Sequence, residues 1–233
     1  MKRIKLNLNL FVLMVVPMVT FNIQLQAQDY PLVYENNFED GQNMHGFEFT
    51  DATAWRLSDT LNNKSLELFN LSKYELPVSS PFNIGVLTQI KVGSFVLEVD
   101  VKQTSREYPH RDICLFFNVK DPTNYYYVHI SSVADPHAHS IFLVNDEPQT
   151  NITSKVSKGV AWGNNWHKVR IERDVKVGMI KVFFDDMSMP IMEAVDKHFD
   201  QGFIGFGSFD DTGMFDNIKI WGESVKESGK FFK

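Results

Sequence analysis

Residues Tyr108 to Asn145 read YPHRDICLFFNVKDPTNYYYVHISSVADPHAHSIFLVN. Two segments of this stretch alternate with the period of a β-strand. Ile113, Leu115, Phe117 and Val119 fall on one face of the first, and Tyr126, Val128 and Ile130 on one face of the second. Between them Asp121-Pro122-Thr123-Asn124 carries turn chemistry, so the chain reverses and the two strands read as an antiparallel hairpin. If the apolar sets face a core, then Asp112, Cys114, Phe116 and Asn118 point the other way on the first strand, and Tyr125, Tyr127, His129 and Ser131 on the second. Four of the seven histidines, His110, His129, His137 and His139, lie in this stretch beside Arg111. A sheet face of imidazole, phenol and carboxylate is a candidate site.

Outward from this hairpin the same period recurs. Phe95, Leu97, Val99 and Val101 alternate with Val96, Glu98, Asp100 and Lys102; Val169 and Ile171 alternate with Lys168, Arg170 and Glu172; Ile180, Val182 and Phe184 follow Gly178. Turn signals at Asn145-Asp146-Glu147-Pro148, Gly163-Asn164-Asn165 and Asp185-Asp186 separate them. The pattern predicts an all-β fold, antiparallel and packed as two sheets, with Phe95, Leu97, Val99, Leu115, Phe117, Val128, Ile130, Val169, Ile171, Val182 and Phe184 inside. Residues 186–201 are expected to hold a short helix or an extra strand. No repeat or low-complexity linker divides the chain, so residues 28–225 form a single domain and the Lys-rich 226–233 a flexible tail.

The first residues speak to location. Lys2, Arg3 and Lys5 form a basic start, Leu10 to Phe21 an apolar run, and Gln24-Leu25-Gln26-Ala27 a small-residue exit, the pattern of a signal peptide over residues 1–27. A secreted or periplasmic protein is expected, without stable membrane insertion after cleavage, because the run is short and interrupted by Pro17. Removal of the segment leaves 20 basic against 29 acidic residues, a net charge of −9 over 206 residues. That balance argues against nucleic acid as a partner. Cys114 is the sole cysteine, so no internal disulfide forms and stability rests on packing.

Three segments carry a resemblance: Asn37-Phe38-Glu39-Asp40-Gly41; Gly163-Asn164-Asn165-Trp166-His167-Lys168-Val169-Arg170; and Gly205 to Ile218, which includes Phe215-Asp216-Asn217-Ile218. In these the chain resembles the concanavalin A-like sandwich proteins, and among them the secreted bacterial domains grouped with 3-keto-disaccharide hydrolases and family 16 glycoside hydrolase-like proteins. The resemblance implies a jelly-roll sandwich, an N-terminal strand paired with the C-terminal one, and an oligosaccharide or polysaccharide as partner. It also implies a structural Ca²⁺ joining the first and last strands through Glu39 or Asp40 with Asp216. Retaining family 16 enzymes place Glu, Asp and Glu at alternate positions of one strand; this chain has Glu98, Asp100 and Lys102, so the third carboxylate is missing.

The histidine-rich face suggests its own chemistry. Tyr127 and His129 are two residues apart on one strand, roughly 7 Å along it, so one substrate can touch both. A histidine near neutral pKa moves a proton, a tyrosine serves as the opposite partner, and Arg111 holds a carboxylate or developing oxyanion. The expected catalytic set is therefore His129, Tyr127 and Arg111 with His110, His137 and Asp100, and the expected substrate contacts are Glu98, Asp112, His139 and Tyr125. His137-Ala138-His139 also has the spacing of two metal ligands, against ordinary hydrogen bonding. Two functional classes follow: an enzyme cleaving a glycosidic bond, as hydrolase or β-eliminating lyase, or a non-catalytic glycan-binding module. Titratable groups converging in a cleft mark the first, and exposed aromatics the second.

Overall fold

The computed structural model describes residues 30–40, 44–60, 63–75 and 77–226; residues 1–27, read as a signal peptide, and 227–233, read as part of a tail, lie outside them. Fifteen strands follow in order: β1 (Leu32–Asn36), β2 (Phe47–Phe49), β3 (Trp55–Thr60), β4 (Asn63–Leu68), β5 (Asn83–Gln103), β6 (Asp112–Asp121), β7 (Asn124–Ser131), β8 (Ser140–Asn145), β9 (Thr150–Asn151), β10 (Thr153–Val156), β11 (His167–Asp174), β12 (Met179–Phe184), β13 (Met192–Val195), β14 (Gly202–Ser208) and β15 (Gly213–Lys226). Among the described residues the only helical turn is Ala52–Ala54, where the Asp51 side chain accepts from the Thr53 amide. Segment 186–201 supplies the extra strand, β13.

Every strand pairing is antiparallel, and β5 organises them. Its second half, from Phe95 to Val101, pairs with β11 on one side and with β15 on the other, while its first half, from Asn83 to Leu87, pairs with β14. One layer thus runs β10-β13-β12-β11-β5 and on to β15, and the other β5-β14-β6-β7-β8-β9. The first strand pairs with the last, Asn36 opposite Ile218. The hairpin read from the sequence forms as β6 and β7, with Ile113 opposite Ile130 and Leu115 opposite Val128.

The main core lies between the layers. Phe95, Leu97, Val99, Val169, Ile171 and Val182 from one meet Leu115, Phe117, Val128 and Ile130 from the other, all fully buried, while Phe184 is half-buried against them. A jelly-roll sandwich results, because each strand turns its apolar alternate residues inward.

The outward face of β6 and β7 is not solvent-exposed, contrary to the simple alternation. Ile84, Val86, Cys114, Phe116, Tyr125, Tyr127, Phe142 and Val144 form a second apolar cluster there, with Val78 and Phe209 packed over it. Gly205 faces the same way on β14, and the space its missing side chain leaves is taken by Phe116, whose Cβ would sit 3.2 Å from an added one. Val119, expected with the main core, belongs to this second cluster. Asn118 adopts a left-handed φ of 47° and the β6–β7 register shifts after Phe117, so the alternation slips by one and Val119 changes face.

Candidate functional site

Within the second cluster sits a polar island. Asp112 and Cys114 are two residues apart on β6, and His129 lies directly opposite Cys114 on β7, so strand period and register bring the three together. Asp112 is completely buried; its carboxylate accepts from the Ser208 hydroxyl at 2.7 Å, the Phe209 amide at 3.0 Å and the Cys114 thiol at 3.1 Å. His129 Nε2 lies 3.0 Å from Asp112 Oδ2, out of line for a hydrogen bond, and Nδ1 is 3.1 Å from the His137 carbonyl. A carbonyl only accepts, so Nδ1 carries a proton. Burial alone would raise the Asp112 pKa, but the His129 charge, the Ser208 hydroxyl and the Phe209 amide hold it below the usual carboxylate value. Burial pulls His129 down, and the Asp112 charge more than reverses this, leaving it raised. Each partner favours the charged form of the other, and the pair is closed on itself.

That closure changes the role of His129. Its Nε2 is turned to Asp112 and not to solvent, so it has no nitrogen to offer a substrate. Its ring instead stacks on Phe209, at 6.1 Å between centroids, and floors a cleft of about 340 Å³ lined by Tyr108, His110, His137, Gln149, Phe209 and Asp210. His110 and His137 are at the rim, where His110 Nε2 is 2.8 Å from Asp135. Behind the rim Asp211 accepts from the Tyr108 hydroxyl at 2.8 Å and the Asp112 amide at 2.9 Å, and burial pushes its pKa up to about 6.

The other residues expected around His129 stand elsewhere. Tyr127 points into the second apolar cluster, stacked on Phe142 at 5.0 Å, its hydroxyl buried without a hydrogen-bond partner and its pKa raised by burial. Tyr125 is buried beside it. Both tyrosines are core residues because Val78 and Phe209 cover the face that alternation left open. His139 is also fully buried: Nδ1 accepts from the Ser131 amide at 3.3 Å, Nε2 then donates to Ser157 Oγ at 2.9 Å, and burial lowers its pKa to about 4. A neutral histidine with both nitrogens used is neither a substrate contact nor a partner of His137 on a metal.

Arg111 is buried and does not line the His129 cleft. Its guanidinium donates to Gln103 Oε1 at 3.0 Å, the Gln103 carbonyl at 3.1 Å and the Gly163 carbonyl at 2.9 Å, while its own carbonyl accepts from Trp162 Nε1 at 3.1 Å. Its work is to hold the loop from Trp162 to Trp166.

That loop leads to a second and larger cleft, about 520 Å³, lined by Thr60, Asn63, Ser65, Asp100, Lys102, Trp166, Met214, Asp216 and Asn217. Asp100 on β5 and Asp216 on β15 are directly opposite each other, a relation that sets their Cβ atoms roughly 5 Å apart. Asp100 is ion-paired with Lys168 at 2.8 Å and accepts from Asn217 Nδ2 at 2.9 Å. Asp216 accepts from Asn63 Nδ2 at 3.0 Å and the Asn217 amide at 2.6 Å, yet burial, with the charges of Asp100 and Glu39 adding to it, raises its pKa. Trp166 stands at the edge, 37% exposed. Glu98 is outside this cleft, bound to Arg170 at 2.6 and 2.9 Å.

Of the acids the resemblance named for calcium, Glu39, Asp40 and Asp216, none falls in a tight cluster of side-chain ligands among the described residues. Glu39 is exposed and its Oε1 accepts from the Lys64 amide at 2.8 Å. Among the described residues the groups whose ligand atoms all fall within 4.8 Å are Asp112-Cys114-His129 and Asp112-Asp210-Asp211, and neither includes Glu39 or Asp216. The first and last strands are joined by backbone pairing, and Asp216 is held by Asn63 of β4 and its neighbour Asn217.

Asn63, Asn217, Lys102 and Trp166 were missed as site residues, as were Tyr108, Gln149 and Asp210. Trp166 and Asn217 lay in motifs already visible; what marked them was their exposure and strand register, which need the fold.

No protein-family model matches the chain, and none of the curated proteins does. Solved structures do. A carbohydrate-binding module from Bacillus subtilis superposes with a TM-score of 0.54 at 18% identity, over 77% of this chain and 97% of that one. A Bacillus subtilis protein with a galectin-like fold gives 0.52 at 11%, over 84% and 97%, and peanut lectin 0.52 at 13%, over 83% and 97%. The fold is that of the concanavalin A-like and galectin-like sandwiches.

Proposed function

We propose that this protein is exported and binds a glycan in the cleft between Trp166 and the paired carboxylates Asp100 and Asp216. The observation that carries the reading is the composition of that cleft: an exposed indole and the Lys102 ammonium beside amide and carboxylate groups that are already held in place. An indole face packs on the C–H face of a sugar ring, and fixed acceptors and donors take its hydroxyls. Similarity in fold to a carbohydrate-binding module and a lectin supports the same reading. The signal segment supports export.

One feature favours a second reading, hydrolysis. Asp100 and Asp216 are cross-strand neighbours whose surroundings differ, Asp216 buried with a raised pKa and Asp100 ion-paired to Lys168. Such divergence is how one carboxyl becomes a proton donor and the other an anion. In that case Asp216 protonates the departing glycosidic oxygen and Asp100 acts at the anomeric carbon, with water completing the reaction. His129, Tyr127 and Arg111 have no part in either reading.

The test is calorimetric binding of the mature chain to a panel of neutral and uronic oligosaccharides, with reducing ends assayed in parallel. Trp166→Ala is expected to weaken binding at least tenfold while the melting temperature holds. Hydrolysis that is lost in both Asp216→Asn and Asp100→Asn selects the second reading; binding without product selects the first. Unchanged affinity in Trp166→Ala would place the sugar elsewhere.

A further inference from the structure

We propose that Asp112, Cys114 and His129 form a binding site for a divalent transition ion of the zinc type. The inference is independent of the sugar reading, since the island and the Trp166 cleft share no residue.

The donor set is carboxylate oxygen, thiol sulfur and imidazole nitrogen, the three ligand types that zinc accepts together. Their atoms already converge, Cys114 Sγ at 3.1 Å and His129 Nε2 at 3.0 Å from the same Asp112 oxygen. Around a tetrahedral ion with bonds of roughly 2.0–2.3 Å, neighbouring ligand atoms sit about 3.3–3.7 Å apart, so the three need to open by only about half an ångström.

His129 supplies the independent sign. Its Nδ1 is fixed by the His137 carbonyl, the outer contact that orients metal-binding histidines and leaves Nε2 as the ligand atom. That Nε2 is buried and lies 3.0 Å from Asp112 Oδ2, the carboxylate oxygen that Cys114 shares, yet it makes no hydrogen bond of its own. Nitrogen and carboxylate oxygen this close attract only when positive charge sits on the imidazole or on an ion that both would bind. In the metal-free protein a proton fills the role; an ion would replace it.

The surroundings complete a three-ligand site with one open position. The Tyr127 hydroxyl is a second buried group without a partner, in the same cluster as Cys114, and would be available to hydrogen-bond a water in the fourth place. Access runs through the cleft floored by His129, with His110, His137 and Asp210 at its rim. Binding breaks the Cys114 S–H bond and removes the proton held between His129 and Asp112. Both go to solvent as the ion–sulfur, ion–nitrogen and ion–oxygen bonds form, so about two protons are released per ion.

The experiment uses the chelator-treated mature chain. Zn²⁺ is titrated by calorimetry in two buffers of different ionisation enthalpy, and Co²⁺ is added separately and followed by absorption. The expected result is one equivalent of Zn²⁺ bound with release of about two protons, a raised melting temperature, and a thiolate-to-cobalt charge-transfer band. Cys114→Ser is expected to weaken Zn²⁺ at least about 100-fold, and the His110→Ala/His137→Ala double variant to retain it. The cobalt band is read on the unmodified chain, so a Cys114→Ser protein that fails to fold leaves the test standing. Absence of Zn²⁺ binding, a cobalt complex without the thiolate band, or binding lost with the rim histidines and kept without Cys114 would each overturn the proposal.

Discussion

On the β11–β5–β15 layer the outward residues are charges that pair across strands, Glu98 with Arg170, Asp100 with Lys168 and Lys219 with Glu35. On the β14–β6–β7–β8 layer they are Phe116, Tyr125, Tyr127 and Phe142, buried under Val78 and Phe209 around one charged pair. One face offers its polar groups to solvent and keeps a cleft there; the other seals them in. Period-two alternation treats the two faces alike. The difference is that the first is left bare and the second is covered by chain from distant parts of the sequence.

The largest test of this contrast is Phe116→Ala. If the outward face of β6 is a true second core, the change should cost roughly 3–5 kcal/mol, as much as Phe117→Ala in the main core, by lost burial and the cavity left behind. Denaturant midpoints at constant slope measure it. A Phe116→Ala cost under about 1 kcal/mol, the size of a surface change, would mean that the cover is open in solution.

Next in size is the acid response. His139 is buried neutral with its pKa lowered to about 4, so between pH 6.5 and 4 the unfolded chain takes up a proton there that the folded chain refuses. Folded stability from this residue is complete above the unfolded value and falls as pH drops through that window, by roughly 3 kcal/mol in all. His139→Asn keeps a residue that tolerates the left-handed φ of 55° and removes the titration, so its stability should depend less steeply on pH across the same range. An identical slope would show that the covered face lets His139 charge.

The Asp112–His129 pair works on both sides of that window. The lowered Asp112 contributes stability above its unfolded pKa that is lost as pH falls through the folded one; the raised His129 contributes stability below its unfolded pKa that is lost as pH rises through the folded one. Tyr127→Phe sharpens the comparison further. Removing a buried hydroxyl with no partner should stabilise the metal-free chain by about 1 kcal/mol, whereas a tyrosine reaching solvent would gain nothing. Smallest is Glu98→Gln on the charged face. With both partners partly exposed, its loss should stay within about 1 kcal/mol, and added salt should shrink it.

The antiparallel hairpin and the inward core were legible from residue patterns, and the pairing of first strand with last was implied by the resemblance. Ile113, Leu115, Phe117, Val128 and Ile130 announce an inner face because burial of alternate apolar side chains is a local consequence of the pleat. The union of Asp112, Cys114 and His129 was half legible: the strand period places Asp112 with Cys114, and the hairpin turn sets the register that adds His129.

What the amino-acid sequence determined by itself was therefore which side chains share a face. Only the tertiary structure decided which faces meet water, since that depends on segments such as Val78 and Phe209 arriving from far along the chain. Tyr127 and His129 looked like a reactive pair because phenol and imidazole are polar; covered, the phenol becomes core and the imidazole turns inward to a carboxylate. Asp100 and Asp216, 116 positions apart in number, had no local sign of partnership, and the antiparallel β5–β15 register alone sets them side by side in a cleft. Local alternation is set by backbone geometry residue by residue, whereas burial and electrostatic environment are set by everything that packs nearby.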